Sequence, residues 1–192
     1  MKFTLSSTED QSKFGTSLAY NPKKNLLAVG APSRTNGMMY HAGKVFIYDL
    51  SSANLTFSQP RSSFTSYDRA ARFGKRIEWV GDEDLVVSAP SYTTYNTLAV
   101  PNEQGMVYYF SGASNLNGGY STLWASKSFD TAEAGCRHGD TLKYDESTHL
   151  LLIASPFCHN IGANGEEHRL AGRLYFFPQQ TQVRAKEELF LA

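Results

Sequence analysis

The chain has 192 residues, of which 18 are Lys or Arg and 18 are Asp or Glu, so its formal net charge at pH 7 is zero. A chain of this length can bury a substantial core in one domain. The balanced charge, with no cluster of basic residues, argues against a nucleic-acid partner. No apolar stretch approaches the roughly 18 residues of a membrane span, and residues 1–7 lack the hydrophobic core of a signal peptide.

A three-part pattern occurs three times along the chain. Each copy has an aromatic residue or His followed by Gly, an apolar run that ends in Pro, and a later Gly that opens a second apolar run. A sequence that repeats at a regular interval usually builds one supersecondary unit several times. In chain order, the copies are Phe14-Gly15 with Gly30-Ala31-Pro32 and Gly43, Phe73-Gly74 with Ser88-Ala89-Pro90 and Gly105, and His138-Gly139 with Ala154-Ser155-Pro156 and Gly172.

The residues of each copy predict β-strands. The run before each Pro is continuously apolar, as in strands covered on both faces, and Pro ends it because Pro cannot donate to a ladder. The run after the later Gly is rich in Val, Tyr and Phe, which suit a packed, pleated surface. Weaker strands are predicted at 14–20, 55–57, 73–80, 123–126 and 138–144, with 3–5 and 183–189 as the equivalents at the two ends.

Four antiparallel strands in each copy predict an all-β fold, and we expect a partial β-propeller of about three four-stranded blades. The blades cover roughly residues 1–60, 61–120 and 121–192 of a single domain. Asn36-Gly37, Gly118-Gly119 and Asn164-Gly165 are typical of turns in the connections. A β-sandwich of short strands is the alternative, but a sandwich gives no reason for one motif to occur three times.

The first two copies resemble the FG-GAP repeat, and the third, with His138 in place of Phe, is a degenerate version. This repeat builds the propellers of integrin α subunits and of glycosylphosphatidylinositol-specific phospholipase D. The resemblance implies that the two halves of the motif pack together at the inner end of each blade. It assigns this role to Phe14, Gly15, Gly30, Ala31, Pro32, Phe73, Gly74, Ala89, Pro90, Gly139 and Pro156.

The resemblance implies a non-catalytic module that binds a protein, glycan or glycolipid through its blade loops, outside the cell or in the secretory lumen. Integrin-type propellers have more blades than three copies supply, so we expect a fragment whose ring is completed by another segment or chain. One alternative is the accessory C-terminal region of a hydrolase like the phospholipase, with the catalytic domain absent here. A degraded relative with no present function is another.

No catalytic, cofactor or metal site is predicted. The chain lacks a Gly-x-Ser-x-Gly elbow and a phosphate-binding loop. Many FG-GAP repeats hold calcium in an Asp-rich loop, but residues 21–25 carry two lysines, 81–84 three adjacent acids and 145–148 too few carboxylates. The last copy contains His138, His149, His159 and His168, but their spacing does not match a compact zinc-ligand pair.

Three further residues are candidates for covalent modification. Cys136 and Cys158 adjoin the two motif halves of the third copy, which the resemblance brings near one another. A disulfide between them and two buried free thiols are the alternatives. Asn54 begins an Asn-Leu-Thr sequon between the first two copies and is a candidate glycosylation site.

The connection from each Pro to the later Gly varies in length, whereas the step from the first Gly to Pro is nearly constant. Variable length indicates a surface loop. Tyr40, His41, Tyr92 and Tyr95 lie in these loops, so we expect ligand contacts in residues 33–42 and 91–104.

Overall fold

The computed structural model describes residues 4–51, 60–93, 103–115, 127–129, 134–161 and 164–178. Within these ranges the chain is all-β and forms no α-helix, and a short 3₁₀ turn covers Ala113–Asn115. The strands are β1 (Ser17–Asn21), β2 (Leu26–Ala31), β3 (Lys44–Asp49), β4 (Ser62–Thr65), β5 (Ile77–Val80), β6 (Asp84–Ala89), β7 (Met106–Phe110), β8 (Lys127–Phe129), β9 (Thr141–Asp145), β10 (Leu150–Ser155), β11 (Asn160–Ile161), β12 (Glu167–His168) and β13 (Arg173–Pro178).

Three antiparallel sheets each contain one copy of the repeat, with their strands in chain order. Sheet 1 is β1-β2-β3-β4, sheet 2 is β5-β6-β7-β8, and sheet 3 is β9-β10-β13. Strands β11 and β12 form a separate ribbon within the third repeat. The predicted all-β fold of antiparallel strands is therefore confirmed. The apolar run before each Pro forms a strand paired on both sides, which explains why it has no polar face.

The first strands differ from their predicted positions. The first strands begin two or three residues after the Gly of each pair, because Gly15, Gly74 and Gly139 have φ of +88°, +87° and +83° and turn the chain there.

Strands β4 and β8 follow the predicted segments 55–57 and 123–126, which, like 183–189, lie outside the described residues. Leu5 belongs to no strand. Sheets 1 and 2 therefore extend beyond the predicted boundaries at residues 60 and 120.

Successive sheets pack face to face, because alternate residues of each strand point to opposite sides. We call the face that a sheet turns towards the preceding sheet its head face, and the opposite one its tail face. The residues between sheets 1 and 2 include Leu26, Ala28, Val45, Ile47, Ile77, Trp79, Leu85 and Val87. Those between sheets 2 and 3 include Val86, Val107, Leu142, Tyr144, Leu151 and Ile153. Full burial of each large side chain contributes about 1.5–3 kcal/mol.

The first strands of successive sheets approach one another closely. Strand β1 contacts β5, and β5 contacts β9. The Oγ of Ser17 donates a hydrogen bond to the carbonyl of Gly74 (2.7 Å), and the indole N–H of Trp79 donates to the carbonyl of Ala19 (3.1 Å). Gly30 makes this approach sterically feasible, because a Cβ there would overlap the Gly74 carbonyl and the Ser17 hydroxyl.

Gly15 and Gly74 form a matched pair for testing the contact between sheets. Their φ angles are nearly equal, but an added Cβ meets nothing within 4 Å at Gly15 and lies 2.9 Å from the Lys44 carbonyl at Gly74. Both Ala variants carry the strain of positive φ, roughly 1–2 kcal/mol, and Gly74→Ala adds overpacking of about 1–3 kcal/mol. Urea unfolding at low protein concentration measures the difference. Equal losses for the two variants would show that the sheets do not pack this closely in solution.

Candidate functional site

The two halves of each motif meet through one hydrogen bond that occurs in every repeat. The amides of Gly15, Gly74 and Gly139 donate to the carbonyls of Gly30 (2.9 Å), Ser88 (2.9 Å) and Ala154 (3.1 Å). The later glycines close the connection in the same way. The amides of Gly43, Gly105 and Gly172 donate to the residue two positions after each Pro, at 3.0–3.1 Å. The motif glycines thus form the same hydrogen-bonded junction in each repeat.

An aromatic cluster stands beside each junction. Phe14 contacts Phe46 and Tyr48 edge-on, with ring centroids 5.6 and 6.3 Å away. Phe73 contacts Tyr108 and Phe110 in the same manner, and His138 contacts Tyr175 at 5.1 Å. The aromatic position of the motif therefore packs against the third strand of its own sheet, and His138 keeps the geometry of the Phe that it replaces.

The degenerate third copy carries two changes that compensate one another. His138 stands where the other copies have Phe, and Ser155 stands where they have Ala31 and Ala89. The His138 Nδ1 and the Ser155 Oγ are 2.6 Å apart, and both residues are buried. Among the described residues, the other ring nitrogen of His138 has no hydrogen-bond partner. Burial lowers the pKa of His138 to about 4, so the ring is neutral at pH 7.

This buried His predicts a loss of stability in acid. The unfolded chain, in which His has a pKa of about 6.5, binds more protons than the folded chain between that pH and pH 4. The free energy of unfolding should therefore fall by up to about 3 kcal/mol as the pH falls through this window. The variant His138→Phe/Ser155→Ala, which restores the pair found in the other copies, should lose this component.

Urea unfolding at pH 7 and pH 4.5 measures the effect. As a control, Ser155→Ala alone keeps the acid sensitivity and costs about 1–3 kcal/mol at pH 7, because it leaves a buried imidazole nitrogen unsatisfied. Parallel pH profiles for the wild type and the double variant would contradict this account of His138.

Cys136 and Cys158 are joined by a disulfide, with both residues fully buried. Cys136 is the equivalent of Ser12 and Ala71, whose carbonyls accept hydrogen bonds from the Ser33 and Ser91 amides next to the motif Pro. Cys158 lies two residues after Pro156, so the disulfide covalently links the same two segments in the third repeat.

We expect the disulfide to stabilise the fold by about 3 kcal/mol, because it closes a loop with a sequence separation of 22. Dithiothreitol should lower the unfolding midpoint of the wild type. The double variant Cys136→Ala/Cys158→Ala should start from the lowered midpoint and not respond. Equal midpoints of the wild type with and without reductant would show that the thiols are not bonded.

The acidic and basic side chains of the turns at 21–25, 81–84 and 145–148 have partners within the protein. Lys23 and Lys24 of the first turn lie 2.7 and 3.6 Å from carboxylate oxygens of Asp82 and Glu83 in the second. Asp84 accepts hydrogen bonds from the Gly112 amide and the Tyr109 hydroxyl. In the third turn, hydrogen bonds from Thr148 and Ser147 lower the pKa of Asp145.

The histidines of the last copy have separate partners. His149 Nδ1 lies 3.1 Å from the Tyr144 hydroxyl, and His159 Nδ1 lies 3.2 Å from Glu167. His168 is exposed in β12. Across the described ranges, no group of three His, Cys, Asp or Glu side chains is arranged to hold a metal ion.

An exposed surface of apolar and aromatic side chains remains as the candidate binding site. It consists of Met38, Met39, Tyr40, Tyr67 and Arg69, and we call it the loop surface. Met38 is 88% exposed, Tyr40 60% and Tyr67 62%. The guanidinium carbon of Arg69 lies 5.8 Å from the centre of the Tyr40 ring, in the geometry of a cation–π contact.

The backbone under the loop surface is held by hydrogen bonds between two segments. The first segment, 33–42, contains a tight turn in which Asn36 and Met39 exchange amide–carbonyl bonds around Gly37. The second segment, 66–70, follows β4. The side-chain amide of Asn36 donates to the Ser66 carbonyl (3.2 Å), and the Ala70 amide donates to the Tyr40 carbonyl (2.8 Å). The exposed side chains are thus attached to a backbone that is held in place by hydrogen bonds.

The loop residues named from the sequence lie in different environments. Tyr40 belongs to the loop surface, and His41 beside it is exposed, with Nδ1 3.2 Å from the Ser33 carbonyl. Tyr92 is partly buried and packs on the core between sheets 1 and 2. Tyr95 and Asn54 lie outside the described residues.

Sequence reasoning missed Tyr67 and Arg69. Their segment follows β4, and the strand was predicted at 55–57, so the residues after Thr65 were not recognised as a connection. Met38 lies next to the predicted Asn36-Gly37 turn. An exposed turn that presents Met was the available signal, because Met is enriched at protein interfaces.

No protein-family model matches the chain, and no curated protein matches its sequence significantly. Within the part of the chain that the structure describes, no helix is long and apolar enough to cross a membrane.

Proposed function

We propose that the chain is a propeller-type repeat protein of the FG-GAP kind and that it acts as a non-catalytic binding module. Three sheets, each with its strands in chain order, pack face to face, and their first strands adjoin one another. Successive propeller blades have this arrangement around their axis. The resemblance of Phe14-Gly15 and Phe73-Gly74 with their Ala-Pro partners supports the same assignment.

The loop surface is the observation that carries the binding function. Met, aromatic residues and Arg are enriched in protein interfaces and in their energetic hot spots. Tyr40 and Tyr67 are more than half exposed although their neighbouring backbone is hydrogen-bonded. We therefore propose a protein ligand, since rigid aromatic side chains beside a cation provide large contact area with little loss of conformational entropy.

Two further observations support a binding protein in an oxidising compartment. The Cys136–Cys158 disulfide is typical of secreted and lumenal proteins. The Ser155–His138 pair is buried, which supports a structural role for these two side chains in a binding protein.

Peptides from a displayed random library test the loop surface, because such libraries select ligands for protein-binding sites. We expect enriched peptides to lose at least about tenfold in affinity on Tyr40→Ser/Tyr67→Ser, since hot-spot side chains contribute about 2 kcal/mol or more. The control Ile161→Ser/Leu170→Ser changes two residues of similar exposure elsewhere and should leave the affinity unchanged. Titration by biolayer interferometry measures both.

Peptides that bind all variants equally would contradict the assignment of the ligand to this surface. A glycan array provides the second arm. Oligosaccharide binding that disappears in Tyr40→Ser/Tyr67→Ser, together with no peptide enrichment, would replace the protein ligand with a glycan.

A further inference from the structure

The two outermost faces of the three-sheet array each contain exposed residues whose equivalents are buried inside it. On the head face of sheet 1 these lie in the first strand, since side chains of the second and third strands are buried with residues that precede β1. On the head faces, the residue three positions after the motif Gly is Leu18, Ile77 or Leu142. Ile77 and Leu142 are 4% and 5% exposed, because each packs on the preceding sheet. Leu18 is 62% exposed. Tyr20 is likewise half exposed, whereas its equivalents Trp79 and Tyr144 are buried.

The tail face of sheet 3 shows the same contrast. In β3, Val45 and Ile47 are fully buried against sheet 2. Their equivalents in β13 are Leu174 and Phe176, which are 54% and 60% exposed. Leu152 and Ala154 lie beside them, paired with Phe176 and Leu174 across the sheet. This face is thus an apolar surface of the kind that the next sheet covers elsewhere.

The glycine positions show what would fit against the head face of sheet 1. At Gly74 and Gly139, an added Cβ would come within 2.9 and 2.5 Å of the third strand of the preceding sheet, at Lys44 and Val107. At Gly15 the same Cβ meets nothing within 4 Å. The site beside Gly15 therefore has room for a third strand like β13, and Arg173 and Leu174 are the equivalents of Lys44 and Val45.

The chain as a whole has no net charge, so long-range repulsion does not oppose self-association. Lys23 and Lys24 are already paired with Asp82 and Glu83 of their own chain, so the apolar faces and the space beside Gly15 are what favour the contact.

We propose that the tail face of one copy of this chain binds the head face of a second copy, as successive sheets bind within one chain. Such a head-to-tail contact closes into a ring where the rotation between units allows it. Two copies would form a ring of about six blades, within the range of about four to eight that propellers use. The inference rests on the packing of the sheets and does not depend on the loop surface.

Sedimentation velocity of the full chain over about 2–200 µM tests the contact. We expect a concentration-dependent dimer. Leu18→Asp damages every head face and Phe176→Asp every tail face, so each variant should be monomeric alone. An equimolar mixture should dimerise, because it retains one intact head and one intact tail. Ile161→Asp places the same charge on an exposed residue outside both faces and should dimerise like the wild type.

Gly15→Ala provides a second variant whose added Cβ meets no atom of its own chain. It should raise the dimer dissociation constant at least about tenfold, because the Cβ would press on β13 of the second copy. A wild type that stays monomeric at about 200 µM would overturn the proposal. A dimer that persists in Leu18→Asp or in Phe176→Asp alone would also overturn it, since like faces would then be in contact.

Discussion

The fold depends on the hydrogen bond from the motif Gly amide to the carbonyl that precedes Ala-Pro or Ser-Pro. This bond places the turn before the first strand against the end of the second, at Gly15, Gly74 and Gly139 alike. The positive φ of these glycines directs the chain into the bond, and the adjacent aromatic side chain packs on the third strand. The same turn faces the preceding sheet. This one hydrogen bond therefore fixes both the packing within a repeat and the contact between successive repeats.

The third repeat shows that the junction tolerates different chemistry if its partners change together. His138 replaces a Phe only beside Ser155, whose hydroxyl bonds the ring nitrogen that burial would otherwise leave unpaired. Cys136 and Cys158 add a disulfide between the two segments that meet at the junction. The copy that departs furthest from the motif in sequence therefore keeps its geometry, because each change is matched by one that it contacts.

The sequence predicted the regular part of the fold because that part is local. The strands before the Pro residues and after the later glycines lie where periodicity and β-propensity placed them. The sequence did not predict β4, because Ser62–Thr65 contains little apolar pattern and is held by pairing with β3. Only the part of the loop surface in residues 33–42 was predicted. Tyr40 lies in a loop of variable length, but the segment 66–70 is brought beside it by hydrogen bonds between distant residues, which no local pattern encodes.

The positions within a repeat differ in how strongly the surrounding structure constrains them. A residue between two sheets is constrained by both, as Gly30 is by the Gly74 carbonyl and the Ser17 hydroxyl. The backbone of the connection between the second and third strands is held at its ends, where Gly43 bonds Arg34 and Ala42 accepts from Phe73. It is also held within the loop, by hydrogen bonds at Asn36, Met39 and Tyr40. Between those anchors, Met38 and Tyr40 project into solvent at no cost to the packing of the sheets. These exposed side chains can therefore change without disturbing the junction that forms the fold.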